Sequence, residues 1–448
     1  MSHAVVGGIA GGPRIVSSGI SVRRYFAIAQ YVRAAQDVSH PSCPQKQPFE
    51  LNTFLLIKLA FVESVRYDGM AFGSGCVGGY SKEVAMAGKF SYLKFKDIDL
   101  SDPFFDSLKG DYPDFDRWFE SKRDEPVFVY KDDEGVGAFL YIKDKENENI
   151  ELVDGKLPLY ERTKIGTLKL SERMKGQRIG EGAFGLALWR WRKLKTQEIY
   201  LTVYPKHDDV VALACKFGFT DVGARPNGEH IYLKKRFGND YSDPYKSFPF
   251  INPKFEHAGY VIINDVFHDD LFPYSELKGN QPNREGLNEK IEMAASNGVT
   301  KYYIGSPTTE WPYKIGEPLL VYRRYTGNNG KPSFRSCITS FVVVTEIVHI
   351  KGRGKASMTE GEFIRYIKNK SVYSEEQLRN KYKSEPRLVV LGMIYIGYFG
   401  AGNNVNMRWL QDHGFWPQGY PTTARLSVEQ FKSILKEGEV NVSDVIVD

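Results

Sequence analysis

The run Ile165-Gly-Thr-Leu-Lys-Leu-Ser-Glu-Arg-Met-Lys-Gly-Gln-Arg-Ile-Gly-Glu-Gly-Ala-Phe-Gly185 decides how this chain reads. Residues 164–171 carry Ile165, Leu168 and Leu170 as the apolar positions of a short strand. Gly176, Gly180 and Gly182 then form a turn that opens into a helical pattern from about Glu181 to Lys195. A strand that ends in a glycine-rich turn and leads straight into a helix aims several backbone N–H groups, and the positive end of the helix dipole, at one point. That geometry cradles a pyrophosphate. Gly180, Gly182 and Gly185 also satisfy G-x-G-x-x-G, but a Rossmann dinucleotide site needs an acidic residue about 20 positions on, at the end of the next strand. Here that strand ends Val203-Tyr204-Pro205-Lys206-His207, so the Rossmann reading is set aside.

Working outward, residues 90–95 alternate as a strand, and Asp102-Pro103 opens a helical stretch to about Glu120. Residues 127–130 and 136–143 read as a hairpin, 199–204 as a strand, 208–217 as a helix, and 219–222 with 231–234 as a strand pair around Asn227-Gly228. The order is β, α, ββ, β, α, β, α, ββ, an α/β (α+β) pattern. Upstream, 23–38 and 49–67 look helical, giving a helical N-terminal region over 1–88. Gly73, Gly75 and Gly78 also have the G-x-G-x-x-G spacing, but a predicted helix precedes them and they read as a loop. Downstream, the aromatic, proline-bearing stretch after Phe237 reads as a linker. Strand-like runs follow at 260–264, 318–325, 338–347 and 388–399, with helical stretches at 286–297, 359–368, 374–383 and 428–436. They predict a barrel-like α+β domain over 255–448.

Segment 89–237 resembles the GCN5-related N-acetyltransferase (GNAT) family over its whole length. The family's cofactor loop is Q/R-x-x-G-x-G/A, which Gln177-Arg178-Ile179-Gly180-Glu181-Gly182 fits. A second register, Lys175-Gly176-Gln177-Arg178-Ile179-Gly180, puts Arg178 where a glycine usually sits. Beyond the loop, the family's Asn, Ala, Tyr and Gly-Phe positions hold His207, Ala212, Ala214 and Gly218-Phe219. Ala214 therefore stands where a tyrosine often protonates the leaving thiolate. The resemblance implies a GNAT fold with a mixed central sheet and acetyl-CoA as co-substrate. Its contacts would come from Leu170, Ser171, Gly176, Gln177, Arg178, Ile179, Gly180, Glu181 and Gly182.

Acetyl transfer to an amine needs a neutral nucleophile, a polarised thioester carbonyl and a proton for the sulfur. Glu172, at the end of the strand before the cradle, is the candidate base. His207, Cys215 and Tyr204 are the candidate acids. Residues 161–195 hold ten Lys/Arg against three Glu, a local net of +7, which either complements a helix end or captures an anion.

In the C-terminal part, Gly316-Glu317-Pro318 feeds an apolar strand to Thr326, and Ser333 to Glu346 returns after a glycine-bearing turn. This pattern resembles the PUA-like superfamily, including ASCH and EVE domains, whose small β-barrels often bind RNA or modified bases. The resemblance implies a groove drawing on Ser306, Trp311, Tyr322, Arg323, Arg335, Ser336 and Thr339. Asn403, Asn404, Asn406 and Arg408 form a further polar loop.

The whole chain has 448 residues, 42% hydrophobic and 26% charged, the composition of a globular protein of two or three domains. Its 60 Lys+Arg against 55 Asp+Glu leave only +5, so anion binding must come from local clusters. The longest uncharged run, 388–407, holds four glycines and three asparagines, and no secretory leader is read at the start. Four scattered cysteines, Cys43, Cys76, Cys215 and Cys337, exclude a zinc ribbon and fit a reducing cytoplasm; no metal site and no membrane partner are expected. The reading is an acetyl-CoA-dependent N-acetyltransferase whose amine acceptor is linked to RNA, such as tRNA, through the PUA-like domain. The alternative is a catalytically inactive, acetyl-CoA-sensing, nucleic-acid-binding regulator.

Overall fold

A computed structural model describes residues 90–447, apart from 133, 273, 274, 276, 278–297, 329, 353, 354 and 418–420. The expected N-terminal region 1–88, the Gly73, Gly75 and Gly78 spacing and the helix over 286–297 lie outside the described residues. The first sheet has seven strands. In chain order these are β1 (Phe90–Lys94), β2 (Pro126–Asp132), β3 (Gly135–Glu146), β4 (Arg162–Leu170), β5 (Glu198–Val203), β6 (Thr220–Ala224) and β7 (His230–Lys235). Their order in space is β1-β2-β3-β4-β5-β7-β6. Every pairing is antiparallel except β4 with β5.

Four helices cover this sheet: α1 (Asp106–Asp111), α2 (Phe115–Ser121), α3 (Ile179–Leu194) and α4 (Asp208–Lys216). The element order is the one read from the sequence, with one difference. The helix expected over 102–120 breaks at Tyr112-Pro113, because a residue before proline is pushed out of the helical region; Tyr112 is extended at φ −128°. The alternation of the strands sorts the two faces. Phe95, Phe105, Phe115, Phe119 and Phe139 pack under α1 and α2, whereas Phe128, Leu140, Ile165, Leu201 and Val203 pack under α3 and α4.

The second sheet runs β8 (Gly259–Asn264), β10 (Pro318–Arg324), β11 (Cys337–Gly352), β12 (Leu388–Tyr398), β9 (Thr300–Gly305), with two short strands added to β11. Strand β9 is not among the expected elements. Bulges in the pairing of β11 with β12 after Phe341, Val344 and His349 curl this sheet into a half-barrel. Among the described residues no ladder joins β8 to β9, so the expected barrel is open.

The two sheets share one core, and α3 lies between them. Ala183, Phe184, Ala187, Leu188 and Trp191 are buried along with Val299, Tyr395 and Ile396 of the second sheet. Trp189 packs edge-on against Tyr395 at 5.4 Å, and Arg192 donates to the carbonyls of Ile396 at 2.7 Å and Pro249 at 3.1 Å. The stretch read as a linker is also core, since Phe248, Phe250 and Ile251 are buried. No helix among the described residues is long and apolar enough to cross a membrane.

Gly185 marks the closest approach of α3 to the second sheet: a Cβ there would lie 2.3 Å from Val299 Cγ1. Gly185→Leu is therefore expected to overpack the seam and cost about 2 kcal/mol, read as a lower midpoint in urea unfolding. A midpoint equal to that of the parent would show that the two sheets yield there freely.

Candidate functional site

Strand β4 carries a bulge at Gly166. Tyr141 pairs with Thr167 and Ile142 with Ile165, so Gly166 is the extra residue, and a Cβ on it would meet the Tyr141 ring at 2.7 Å. The bulge separates β4 from β5. Their parallel ladder covers only Thr163–Ile199, Lys164–Tyr200 and Ile165–Leu201. Beyond it, β4 stays on β3 as far as Leu170, and β5 stays on β7 as far as Val203. A V-shaped split opens between residues 166–170 and 202–203, and none of the described strands lies between those edges. Such an edge offers backbone donors and acceptors to an extended ligand.

Helix α3 starts at the head of this split. Gly176 (φ 78°) and Arg178 (φ 65°) are both left-handed, a conformation that costs a non-glycine residue about 1–2 kcal/mol. No side chain caps α3, so its first N–H groups point at the turn without a capping partner. Gly180 sits between Leu170 and Leu213, where a Cβ would already be in contact at 3.4–3.7 Å. The Ser171 hydroxyl at the exit of β4 is buried with no hydrogen-bond partner. An orphaned hydroxyl, a free strand edge and an uncapped helix start therefore converge on one place.

The side chains expected in the cradle divide. The Gln177 amide folds back to donate to the Arg173 carbonyl at 3.2 Å. Arg178 turns away from the turn and pairs with Glu181 at 2.9 Å; both are largely buried. Burial alone would raise the Glu181 carboxyl, but Arg178, Lys216 and the Thr300 hydroxyl outweigh it and hold the group below the usual carboxylate range. Leu170 packs on the core, and Ile179 and Gly182 are buried within α3.

Of the candidate catalytic residues, Glu172 is 85% exposed and paired with Lys175 at 2.9 Å. Lys175 also reaches Asp209 at 3.4 Å. Glu172 and Lys175 form a surface ion pair in solvent. His207 places Nε2 3.4 Å from Asp111 Oδ2 and makes no side-chain cap on α4. Cys215 is half-buried on α4 against the core, and Ala214 is wholly buried, so a tyrosine at 214 would need the core rebuilt.

Four residues not singled out as a group meet at the open end of the split. Tyr112 OH donates to Glu229 Oε1 at 2.9 Å, Asn227 Nδ2 donates to Oε2 at 2.9 Å, and the Tyr112 ring lies 5.8 Å from that of Tyr204. Glu229 is buried. Burial and the Glu229 charge push the Tyr112 hydroxyl up, so it donates rather than ionises. Helix α1 spans the opening: Lys169 of β4 holds Ser107 at 2.6 Å, while Lys206, beyond β5, holds Asp111 at 2.5 Å. Locally Asn227-Gly228-Glu229 reads only as a turn, and the partnership with Tyr112 spans 117 residues.

Three cations of the basic run at the end of α3 have partners within the chain. Arg190 pairs with Asp144 at 2.8 Å, Lys195 with Asp444 at 3.1 Å, and Arg192 is buried on carbonyls. Lys193 and Lys195 themselves stay exposed.

The residues expected to line a groove in the second half divide by exposure. Tyr322, Arg323, Ser336 and Thr339 are buried: Tyr322 packs on Trp416 at 4.6 Å, Ser336 Oγ accepts from Tyr325 N–H, and Thr339 meets His268 at 2.7 Å. Trp311 is half-buried against Tyr303 and Tyr313, and Ser306 donates to the Arg387 carbonyl. Arg335, by contrast, is exposed, over the Tyr325 ring at 5.1 Å. Exposed Arg324, Lys331 and Phe334 lie close to it in sequence, with Phe334 60% accessible. In the polar loop, Asn406 caps the helix Met407–Asp412 by accepting from Trp409 N–H at 2.9 Å.

Lys301, next to Thr300 on β9, is buried near Arg178 and Glu181. Burial and the Arg178 charge push its ammonium down to about 7 from 10.5, against the pull of Glu181. The folded chain thus binds fewer protons than the unfolded one between those values, and stability rises with pH across that window. Lys301→Met should raise Tm, clearly at pH 6.5 and much less at pH 9.5. An equal gain at both would contradict this.

No family model and no curated protein matches the chain. Solved structures do. Ard1 from Thermoplasma volcanium shares 17% identity over 33% of this chain and 97% of its own, with a TM-score of 0.25. The PaiA N-acetyltransferase from Thermoplasma acidophilum, in complex with coenzyme A, shares 14% over 33% and 97%, TM-score 0.25. A point mutant of the ZmASCH protein from Zymomonas mobilis shares 10% over 40% and 94%, TM-score 0.24.

Proposed function

We propose that this protein transfers the acetyl group of acetyl-CoA to an amine. One observation carries the reading: the bulge at Gly166 opens a split whose free β4 edge leads directly to an uncapped helix start. Coenzyme A has an extended arm with two amides that leads to a pyrophosphate. The split edge matches the amides, and the left-handed Gly176 to Arg178 turn with the start of α3 matches the phosphates. The left-handed φ at Arg178 favours the register in which it occupies a glycine position. Backbone N–H groups of the free edge would polarise the thioester carbonyl.

For proton transfer the solvated Glu172 gives way to Glu229. The acceptor nitrogen attacks the thioester carbon, its proton passes to the Glu229 carboxylate, the C–S bond breaks, and Tyr204 at the end of β5 supplies a proton to the sulfur. The exposed Phe334 and Arg335, with Arg324 and Lys331, combine an aromatic face with cations, and they support RNA as the carrier of the amine. The buried Ala214 favours a second reading, a sensor that binds acetyl-CoA without turning it over.

Release of free thiol from acetyl-CoA, with polyamines, basic peptides and total tRNA as acceptors, separates the two. An enzyme releases coenzyme A with at least one acceptor. Gly180→Glu, which fills the cradle with bulk and negative charge, should abolish release, and Glu229→Gln should lower kcat about 10²-fold or more. Tight binding with no release by any acceptor favours the sensor, and failure to bind acetyl-CoA overturns both readings.

A further inference from the structure

The turn assigned to the pyrophosphate is held from outside its own sheet. Arg178 Nη2 donates to the Thr300 carbonyl at 2.7 Å and to Glu181 Oε2 at 2.9 Å, and Nη1 reaches the Asn369 carbonyl at 3.4 Å. Asn369 Nδ2 donates to the Gly176 carbonyl at 2.5 Å. Thr300 returns its N–H at 2.9 Å and its hydroxyl at 2.5 Å to Glu181 Oε1. Gly298 leaves the guanidinium its room, since a Cβ there would lie 2.6 Å from Nη2. Apart from Glu181, these partners, Gly298, Thr300 and Asn369, belong to the second half of the chain.

We infer that the second half of the chain is part of the acetyl-CoA site: Thr300, acting through Arg178, and Asn369, acting on Gly176 and Arg178, are positioning residues that set the phosphate turn. Arg178 is thus a strut and not a phosphate ligand. Its left-handed backbone presents the turn's N–H groups, and its side chain is committed to Glu181 and to two carbonyls of the other half. Asn369 fixes the remaining left-handed residue, Gly176, by its carbonyl. The two left-handed positions are pinned separately, so the turn is preorganised only while the second half is seated. This inference rests on the acetyl-CoA reading.

The test compares acetyl-CoA, by calorimetry, with acetyl-pantetheine, which lacks the pyrophosphate, by NMR titration at millimolar concentration, on the full chain. Arg178→Gly keeps the left-handed backbone at no steric cost and removes the strut. It and Asn369→Ala should each weaken acetyl-CoA binding about tenfold and leave acetyl-pantetheine binding unchanged. Thr300→Val should weaken acetyl-CoA binding while Thr300→Ser restores it. Acetyl-CoA affinity unchanged in all variants overturns the strut. Equal loss for both ligands also overturns it, because it marks general destabilisation. A wild-type chain that binds no acetyl-CoA removes the reading beneath it, and that outcome is distinguishable from the other two.

Discussion

Helix α3 is buried on two sides, and most of the architecture follows from that constraint. One face packs on the first sheet through Phe184, Leu188 and Trp191; the other meets the second sheet through Gly185, Trp189 and Arg192. A helix covered this way has little polar face left, which is why so many small and aromatic residues share its sixteen positions. Near its end Arg192 finds carbonyls, not a carboxylate. Burial pushes its guanidinium down to about 10, still charged at neutral pH. The same constraint fixes the start of the helix, because Glu181 and Arg178 make their bonds across the seam to Thr300.

The split in the first sheet depends on a smaller device. A single extra residue, Gly166, changes which face the β4 side chains take: Ile165 and Leu168 both pack on the α3 side, although they are three apart. Past the bulge, Lys169 points to the other face and moors α1, and the strand parts from β5. Chemistry is thereby divided between two faces. Backbone groups and the helix start gather on one, while Tyr112, Tyr204 and Glu229 gather where α1 crosses the other. The opening between the strands lies between the two sets.

Much of the fold was legible because its signals are local. Apolar alternation marks the strands, Asp102-Pro103 the first helix start, and Asn227-Gly228 the last turn, all of which lie within a few residues. The break at Tyr112-Pro113 was equally local and went unread because the aromatic periodicity continues through it. Strand β9 is harder to read: Asn297-Gly298 marks a turn just ahead of it, but Thr300 to Gly305 gains its identity from pairing with β12, far along the chain. Much the same holds for the site. The cradle glycines announce themselves, but Glu229 matters through Tyr112, and Arg178 looks like a phosphate ligand until its tertiary partners are seen. Four of the expected groove residues carry hydrogen-bonding and aromatic groups, yet they serve the core of a half-barrel. Burial of that kind is a property of the folded half-barrel and leaves no trace in residue type.

If the split and the turn at the head of α3 form one binding site, a single ligand must cover both at once. Backbone amide hydrogen exchange with and without acetyl-CoA tests this most directly. Added protection is expected at the amides of 166–170 and 176–181 together, with the rest of the first sheet unaffected. Protection that falls on the second sheet alone, or on neither segment, would contradict a shared site.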